Sequence, residues 1–310
     1  MLDDRHKIRI WTILDGKTGH ESQARGLLNA LEGLASVESS EIQPIPFMRA
    51  LFLMLFAHPN PWSMLPGPDL LVGVGSRTHL TLLAASRACG GRSIVLMKPS
   101  LPIALFDLCL VPEHDGLAER ENLFITQGVL CDVSTEGSRN KQDGLIMLGG
   151  PSVRHAWEDD AILNQVMIVL ATNIIGKWTL TTSRRTPLSF LQTLRRFKTP
   201  NLKIVPVEKT GPGWVSGRLA DSGVVWVSED SVSMVYEALT SGARVGLLQV
   251  PRLRKEDRVL RGIDALVGSG MVTTFKDWQT GQPLTPPTEL FDEAGRCAKE
   301  IMRRWFEYEA

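Results

Sequence analysis

The feature that most constrains this chain is an alternation of two patterns. Short, nearly continuous apolar runs of strand length are followed by segments whose apolar residues recur at helical spacing. Ile8 to Leu14 is a β-rich run, and Ala24, Leu27, Leu28 and Leu31 then fall at i, i+3, i+4 and i+7. Asp69 to Gly75 is a second run. It leads into a helix pattern carrying Leu80, Leu83, Ala84 and Ala88, which Gly90 and Gly91 stop. Ser93 to Met97, Phe106 to Val111 and Leu123 to Thr126 are further short strands. The alternation restarts at Leu145 to Leu148 and continues with Trp178 to Thr181, Leu202 to Val207, Val224 to Val227 and Val245 to Leu248. Helices are expected to begin near Trp157, Pro187, Ser231 and Glu256. Strands that are apolar on both faces and separated by helices imply parallel sheets covered on both sides.

Between the two series, Val133 to Gly144 is polar, contains glycine and serine, and has no apolar period, so it reads as a linker. At 310 residues the chain is long for one core. The expectation is an α/β protein of two facing Rossmann-like domains with a central cleft, an acceptor domain at 1–136 and a donor domain at 143–310. A last helix, near Glu289 to Tyr308, would pack back on the first domain.

Composition narrows the function classes. A formal net charge of zero argues against bulk nucleic acid as the partner, which rewards an excess of Lys and Arg. Four cysteines, widely spaced and without a Cys-x-x-Cys pair, give neither a disulfide framework nor a zinc pattern, so structural thiols in a reducing cytosol are expected. The N-terminus runs directly into a strand and has no signal-peptide pattern. The segment 46–57 is rich in large apolar residues, with Arg49 its only basic one, and is far short of the roughly 20 residues of a spanning helix. It fits two readings, a buried core helix or an exposed apolar patch resting on a bilayer beside an acceptor site. A cytoplasmic protein is expected, with peripheral contact at the inner face of a membrane under the second reading.

In an open α/β sheet, ligands bind where strands turn into helices. Asp15-Gly-Lys-Thr-Gly-His20 occupies such a turn. A Walker A loop would need a glycine at Ile13, so this is not one. Asp15 and His20 are its groups suited to general-base work, with Lys17 and Gly19 on the acceptor side; a plain turn capped by Asp15 is the bland alternative. Ser76, Arg77 and His79 follow the second strand and read as further acceptor-side groups, although Ser76 would also serve as a helix cap. Gly149, Gly150, Ser152 and Arg154, with His155 beside them, suit a phosphate or a sugar hydroxyl. Ser183, Arg184 and Arg185 precede a helix that Pro187 begins, and nothing nearby in sequence neutralises the two arginines, so a diphosphate is the obvious partner. Asp230, Ser233 and Glu237 fall at i, i+3 and i+7, with hydroxyls at Ser231 and Ser233 for phosphate and Glu237 a turn further in, at the distance of a ribose. A solvated amphipathic helix is the alternative there. No Asp-x-Asp triplet occurs, which fits a reaction without a metal, and no cofactor is expected beyond the nucleotide sugar as substrate.

Together these loops resemble the family named for the plant "elongated mitochondria" fission protein, whose bacterial members are assigned as glycosyltransferases. The resemblance rests on Asp15 to Gln23, Val72 to Thr78, Val111 to Asp115, Gly149 to Ser152, Thr182 to Pro187 and Ser228 to Met234, in that order along most of the chain. It implies a GT-B-like fold. Gly16 to His20 is also distantly similar to the glycine loop of the N-acetylglucosaminyltransferase that completes lipid II, with Asp15 and Lys17 where that enzyme has glycines. That likeness implies a His20 beside the reacting centre and a Glu237 that holds the ribose. The reading that follows is transfer of a sugar from a nucleotide donor to a saccharide or lipid-linked acceptor, with Asp15 or His20 as the base. The alternatives are a nucleotide-sugar epimerase and a non-catalytic adaptor that keeps the fold.

Overall fold

The structure, a computed structural model, describes residues 7–56, 60–133, 140–172, 176–194, 196, 199–211, 213–253, 257–286 and 291–306. It divides into two compact units, Met1–Asp132 with Glu293–Ala310, and Val133–Asp292.

The first unit is one parallel sheet with helices on its faces. In chain order it comprises β1 (Ile8–Ile13), α1 (Thr18–Glu32), β2 (Val37–Ile42), α2 (Phe47–Phe56), β3 (Leu70–Val74), α3 (His79–Cys89), β4 (Arg92–Leu96), β5 (Leu108–Pro112) and β6 (Leu123–Thr126). The strands lie in the order β2-β1-β3-β4-β5-β6, all parallel. The central strands β3 and β5 are buried at every position, as their unbroken apolar runs require. Edge strand β2 reads Val-Glu-Ser-Ser-Glu-Ile and is mostly exposed. It has no apolar run, so no hydrophobic pattern marks it in the sequence.

The second unit repeats the plan with β7 (Asn140–Leu148), α4 (Asp159–Ala171), β8 (Lys177–Thr182), α5 (Leu188–Leu194), β9 (Leu202–Val205), α6 (Trp214–Asp221), β10 (Ser222–Ser228), α7 (Val232–Thr240), β11 (Arg244–Leu248), α8 (Arg258–Gly268), β12 (Thr273–Thr274) and α9 (Phe275–Gln279). Its order is β12-β11-β10-β7-β8-β9, again parallel throughout. Strand β7 begins at Asn140, five residues ahead of the apolar run that marks it in sequence, so the expected linker extends less far. Residues 134–139, which contain the expected boundary at 136, lie outside the described residues. Two tryptophans are accommodated by glycines on neighbouring strands. Gly144 is in register with Trp178 and Gly246 with Trp226, and a Cβ at either glycine would sit 2.5 Å from the indole ring.

The last helix, α10 (Glu293–Trp305), belongs to the first unit. Its Cys297, Ala298, Ile301 and Met302 are buried in one cluster with Leu27 and Leu31 of α1. Each large side chain buried in this way stabilises by about 1.5–3 kcal/mol. The end of the expected helix, at Tyr308, lies outside the described residues. The fold class read from the sequence, two Rossmann-like α/β units, is the one observed.

Candidate functional site

Each sheet reverses its order of construction at one point. In the first unit this lies between β1 and β3, and in the second between β7 and β10. At such a switch point the two flanking chains leave in opposite directions and open a crevice at the carboxyl ends of the strands. Four of the five loops singled out in the sequence follow those strands; the fifth, at Ser183 to Arg185, follows β8, the neighbour of β7.

In the first unit, Asp15 follows β1 and His20 lies in the first turn of α1, whose N-cap is Lys17. Gly16 adopts φ +80°, which turns the chain back so that both side chains meet. Nδ1 of His20 is 2.8 Å from Oδ1 of Asp15. The Asp15 side chain is 1% exposed and that of His20 17% exposed. Burial pushes the Asp15 carboxyl up, but the hydrogen bond and charge of His20, together with Lys17, outweigh it and hold the carboxyl below its ordinary value. An ionised Asp15 accepts from Nδ1–H, which leaves the lone pair of His20 on Nε2. That is the arrangement of an oriented general base. The other oxygen of Asp15, Oδ2, is buried without a hydrogen-bond partner; the Lys17 ammonium stands 3.6 Å from it.

Gly75, the residue after β3, packs directly on this pair. A Cβ there would lie 2.5 Å from Oδ2 of Asp15 and 2.8 Å from Nδ1 of His20, and the backbone has φ +92°. Gly19, Ser76 and Arg77 are exposed nearby in the chain. Ser76 is not the helix cap, since α3 begins only at His79 behind Thr78, whose hydroxyl donates to the carbonyl of Gly75. His79 corrects the expectation that it faces a ligand. It is 2% exposed, its Nδ1 is 3.0 Å from Oγ of Ser100, and its ring stands edge-on to Phe106. Burial pushes its pKa down, so it is a neutral core residue.

In the second unit three loops are tied together. The N–H of Gly149 donates to Oγ of Ser228 (2.7 Å), and that of Gly150 to Oδ2 of Asp230 (2.9 Å). Ser183 and Thr186 both donate to the carbonyl of Gly149. The guanidinium of Arg185 binds Oδ2 of Asp230 at 2.8 Å and the carbonyls of Gly150 and Pro151. These bonds change the roles expected from sequence. The Gly149 and Gly150 amides are engaged within the protein, and the glycines are there because a Cβ at either would collide with Asp230 or with the backbone of Arg185. Arg185 is neutralised by a residue 45 positions away. Asp230 precedes α7 and turns into the loops, so it does not share a helix face with Ser233 and Glu237.

Other members of the set are structural or exposed. Ser152 caps its own turn by accepting from the amides of Arg154 and His155. Arg154 pairs at 2.8 Å with Asp257, the N-cap of α8. His155 is 1% exposed and makes no hydrogen bond through its ring; burial pushes its pKa down. Arg184 and Ser233 remain exposed, Ser231 is the N-cap of α7 and makes no side-chain cap bond, and Glu237 is half-buried one turn into that helix. Gly75 has no role legible in the sequence, nor do Glu113, His114 and Asp115, which follow β5 at the carboxyl side of the same sheet as Asp15, with β3 and β4 between. Among the described residues, no group of three or more His, Cys, Asp or Glu side chains is placed to hold a metal ion.

The fold and these loops define a GT-B-like protein of two Rossmann-like units. The sequence profile of the family described as Mitochondrial fission ELM1 matches residues 18–305, and the chain belongs to that family. No curated protein sequence matches it. Among solved structures it is similar to a Listeria monocytogenes protein provisionally assigned as a UDP-N-acetylglucosamine 2-epimerase, at 12% identity over 98% of both chains with a TM-score of 0.59. It is similarly close to the UDP-GlcNAc 2-epimerase of Neisseria meningitidis bound to UDP-GlcNAc, at 11% identity over 97% of this chain and 100% of that one, with a TM-score of 0.58. At such identity the likeness establishes a shared fold.

Proposed function

We propose that this chain is an enzyme acting on a nucleoside diphosphate sugar, with His20, oriented by Asp15, as the group that moves the proton. The observation that carries the reading is the buried carboxylate bonded to a partly exposed imidazole at the switch point of the first sheet. Such a pair costs desolvation free energy, which a plain turn has no reason to incur. In the second unit, the exposed Arg184 and Ser233 would contact a diphosphate, with the N-cap Ser231 of α7 behind them and Glu237 for a ribose. Arg185 and Asp230 set the shape of the loops around them. The nucleotide sugar is the substrate, and the reading needs no further cofactor.

Of the two chemistries open to such a site, the structural relatives weigh towards epimerisation, the alternative in the sequence reading, over transfer. Inverting a ring carbon that bears hydrogen requires a proton to leave one face and another to arrive on the opposite one. His20 would serve one face, and the titratable groups after β5, Glu113 and His114, are candidates for the other. Transfer to a lipid-linked acceptor is the second reading, and the exposed apolar face of α2 favours it.

A thermal-shift screen with UDP, GDP, CMP, ADP and their sugar conjugates tests the common claim. A ligand that binds only the native state raises the melting temperature, by the equivalent of about 2.7 kcal/mol at a hundredfold excess over Kd. Stabilisation by one nucleotide that is lost in Arg184→Ala supports the reading. No shift with any of them contradicts it and moves the weight to an adaptor.

A further inference from the structure

Helix α2 is bound to its unit by one narrow face. Ala50 and Leu53 are fully buried in a cluster with Trp11, Ile13 and Trp62. The rest of the helix presents large apolar side chains outward. Phe47 is 63% exposed, Met48 71%, Leu55 62% and Phe56 62%, with Leu51 and Phe52 also exposed. At about 100° per residue these six positions cover about half the circumference of the helix. The rings of Phe52 and Phe56, one turn apart, meet at a tilt, with centroids separated by 4.7 Å. The turn beyond adds Met64, 93% exposed, and Leu65.

Arg49 is the one charged residue of α2, and the nearest carboxylate before it in sequence, Glu41, lies six residues ahead of the helix. No Asp or Glu occurs from Gln43 to Pro68, and Arg49, exposed, stands at the margin of the apolar arc. Helix α3, which packs on α2, has no carboxylate and carries Arg87 outward. Arg77, just before α3, is exposed as well.

We propose that α2 is a membrane-docking surface that lies in the headgroup region of an anionic bilayer, with its phenylalanines, methionine and leucines in the acyl boundary and its cationic margin against lipid phosphates. An interfacial helix needs a wide apolar face and a basic border, and this one has both. A spanning role is excluded by length: α2 has ten residues, and no helix among the described residues is long and apolar enough to cross a membrane. A second copy of the chain fits less well. The helix is about 15 Å long and about 10 Å across, a footprint well below the ~800 Å² per partner of a stable interface. Nor does its exposed face offer the hydrogen-bonding rim such an interface carries.

The experiment is flotation of the full chain with vesicles of phosphatidylglycerol and phosphatidylcholine, against phosphatidylcholine alone, without nucleotide. Wild type should float with the anionic vesicles. The double variant Phe52→Ser/Phe56→Ser, and separately Met48→Gln/Leu55→Gln, should partition at least about tenfold less, since each removes two side chains that lipid would bury. Arg49→Glu should weaken anionic binding alone. All these positions are exposed, so the variants should keep the wild-type melting temperature, and their response to nucleotides should be unchanged. Wild type that stays with the soluble fraction, or variants that float as well as wild type, would overturn the proposal. A concentration-dependent dimer, seen by light scattering and abolished by the same variants, would overturn it in favour of self-association.

Discussion

Nδ1 of His20 lies 2.8 Å from Oδ1 of Asp15, and the carboxylate is 1% exposed while the imidazole still reaches solvent. The two residues are five apart in sequence, and the left-handed Gly16 between them lets a strand end and a helix start face each other. With Nδ1–H donated to an anionic Asp15, the lone pair is on Nε2, the atom that the proposed role requires to take or give a proton. His20→Ala should lower turnover of a nucleotide sugar by about 10²–10⁴-fold, the ordinary contribution of a positioned base, with nucleotide affinity retained. Asp15→Asn should fall in the same direction, because an amide in that place can donate to Nδ1 and reverse the tautomer. Steady-state rates beside calorimetric nucleotide titrations check both; a variant that loses binding and rate together would assign the pair a structural role.

Gly75 is the residue that closes the pair off. Its φ of +92° and the 2.5 Å between a hypothetical Cβ and Oδ2 of Asp15 place two penalties on any side chain. Gly75→Ala should cost about 1–3 kcal/mol of stability and displace Asp15. The measurement is a urea midpoint with the imidazole NMR signals of His20. An unchanged midpoint and unchanged signals would show that the loop adapts.

The adjacent arginines should separate. Arg185 is held by Asp230 and two backbone carbonyls, so Arg185→Ala should leave the buried Asp230 and destabilise by about 2–3 kcal/mol. Arg184 is exposed, and Arg184→Ala should change stability by less than about 0.5 kcal/mol while weakening nucleotide binding. Denaturant melts and nucleotide titrations on the two variants distinguish them. Equal effects on both quantities would contradict the division of roles.

Stability should decline on the acid side. His79 and His155 are both buried, and burial lowers both pKa values, so each stays neutral in the folded chain where the unfolded chain protonates it. Unfolded protein then binds more protons from about pH 6.5 downward, and stability falls as pH falls, by up to about 1.4 kcal/mol per pH unit for each histidine. The effect ends where the folded residue itself protonates. Asp15 acts lower: its pKa is depressed, so its stabilisation is present at neutral pH and lost as pH falls through the folded value, below the usual carboxylate range. Unfolding from pH 7 to 5 should show the histidine slope, reduced in His79→Gln; a flat profile would place these imidazoles in contact with water.

The architecture was legible because buried parallel strands must be apolar on both faces, and runs such as Leu70 to Val74 announce themselves. Edge strand β2 was silent because its side chains face water. Helix α6 (Trp214–Asp221) went unread for a related reason, since Leu219 is its one buried residue. Within the sites, residue types and loop positions could be named, but pairing could not. Nothing local connects Arg185 with Asp230, or Gly75 with Asp15, because the parallel topology brings together segments dozens of residues apart. The two arginines therefore read as equivalent in sequence, whereas the fold ties Arg185 to Asp230 and not Arg184, though both are exposed. His79 looked like a ligand group for the same reason: whether a histidine near a helix start points inward depends on Ser100 and Phe106.

The most direct test of the central claim is proton NMR of candidate nucleotide sugars, beginning with UDP-GlcNAc, incubated in D₂O with wild type and with His20→Ala. Turnover by wild type and its loss in the variant are the expected results. Epimerisation would show as solvent deuterium on a sugar carbon without an acceptor. Transfer would show as release of the nucleoside diphosphate only when an acceptor is supplied, with no deuterium on carbon. Turnover that is the same with and without the imidazole of His20 would contradict the role given to that residue. No turnover or nucleotide binding with any sugar nucleotide would contradict the enzyme itself.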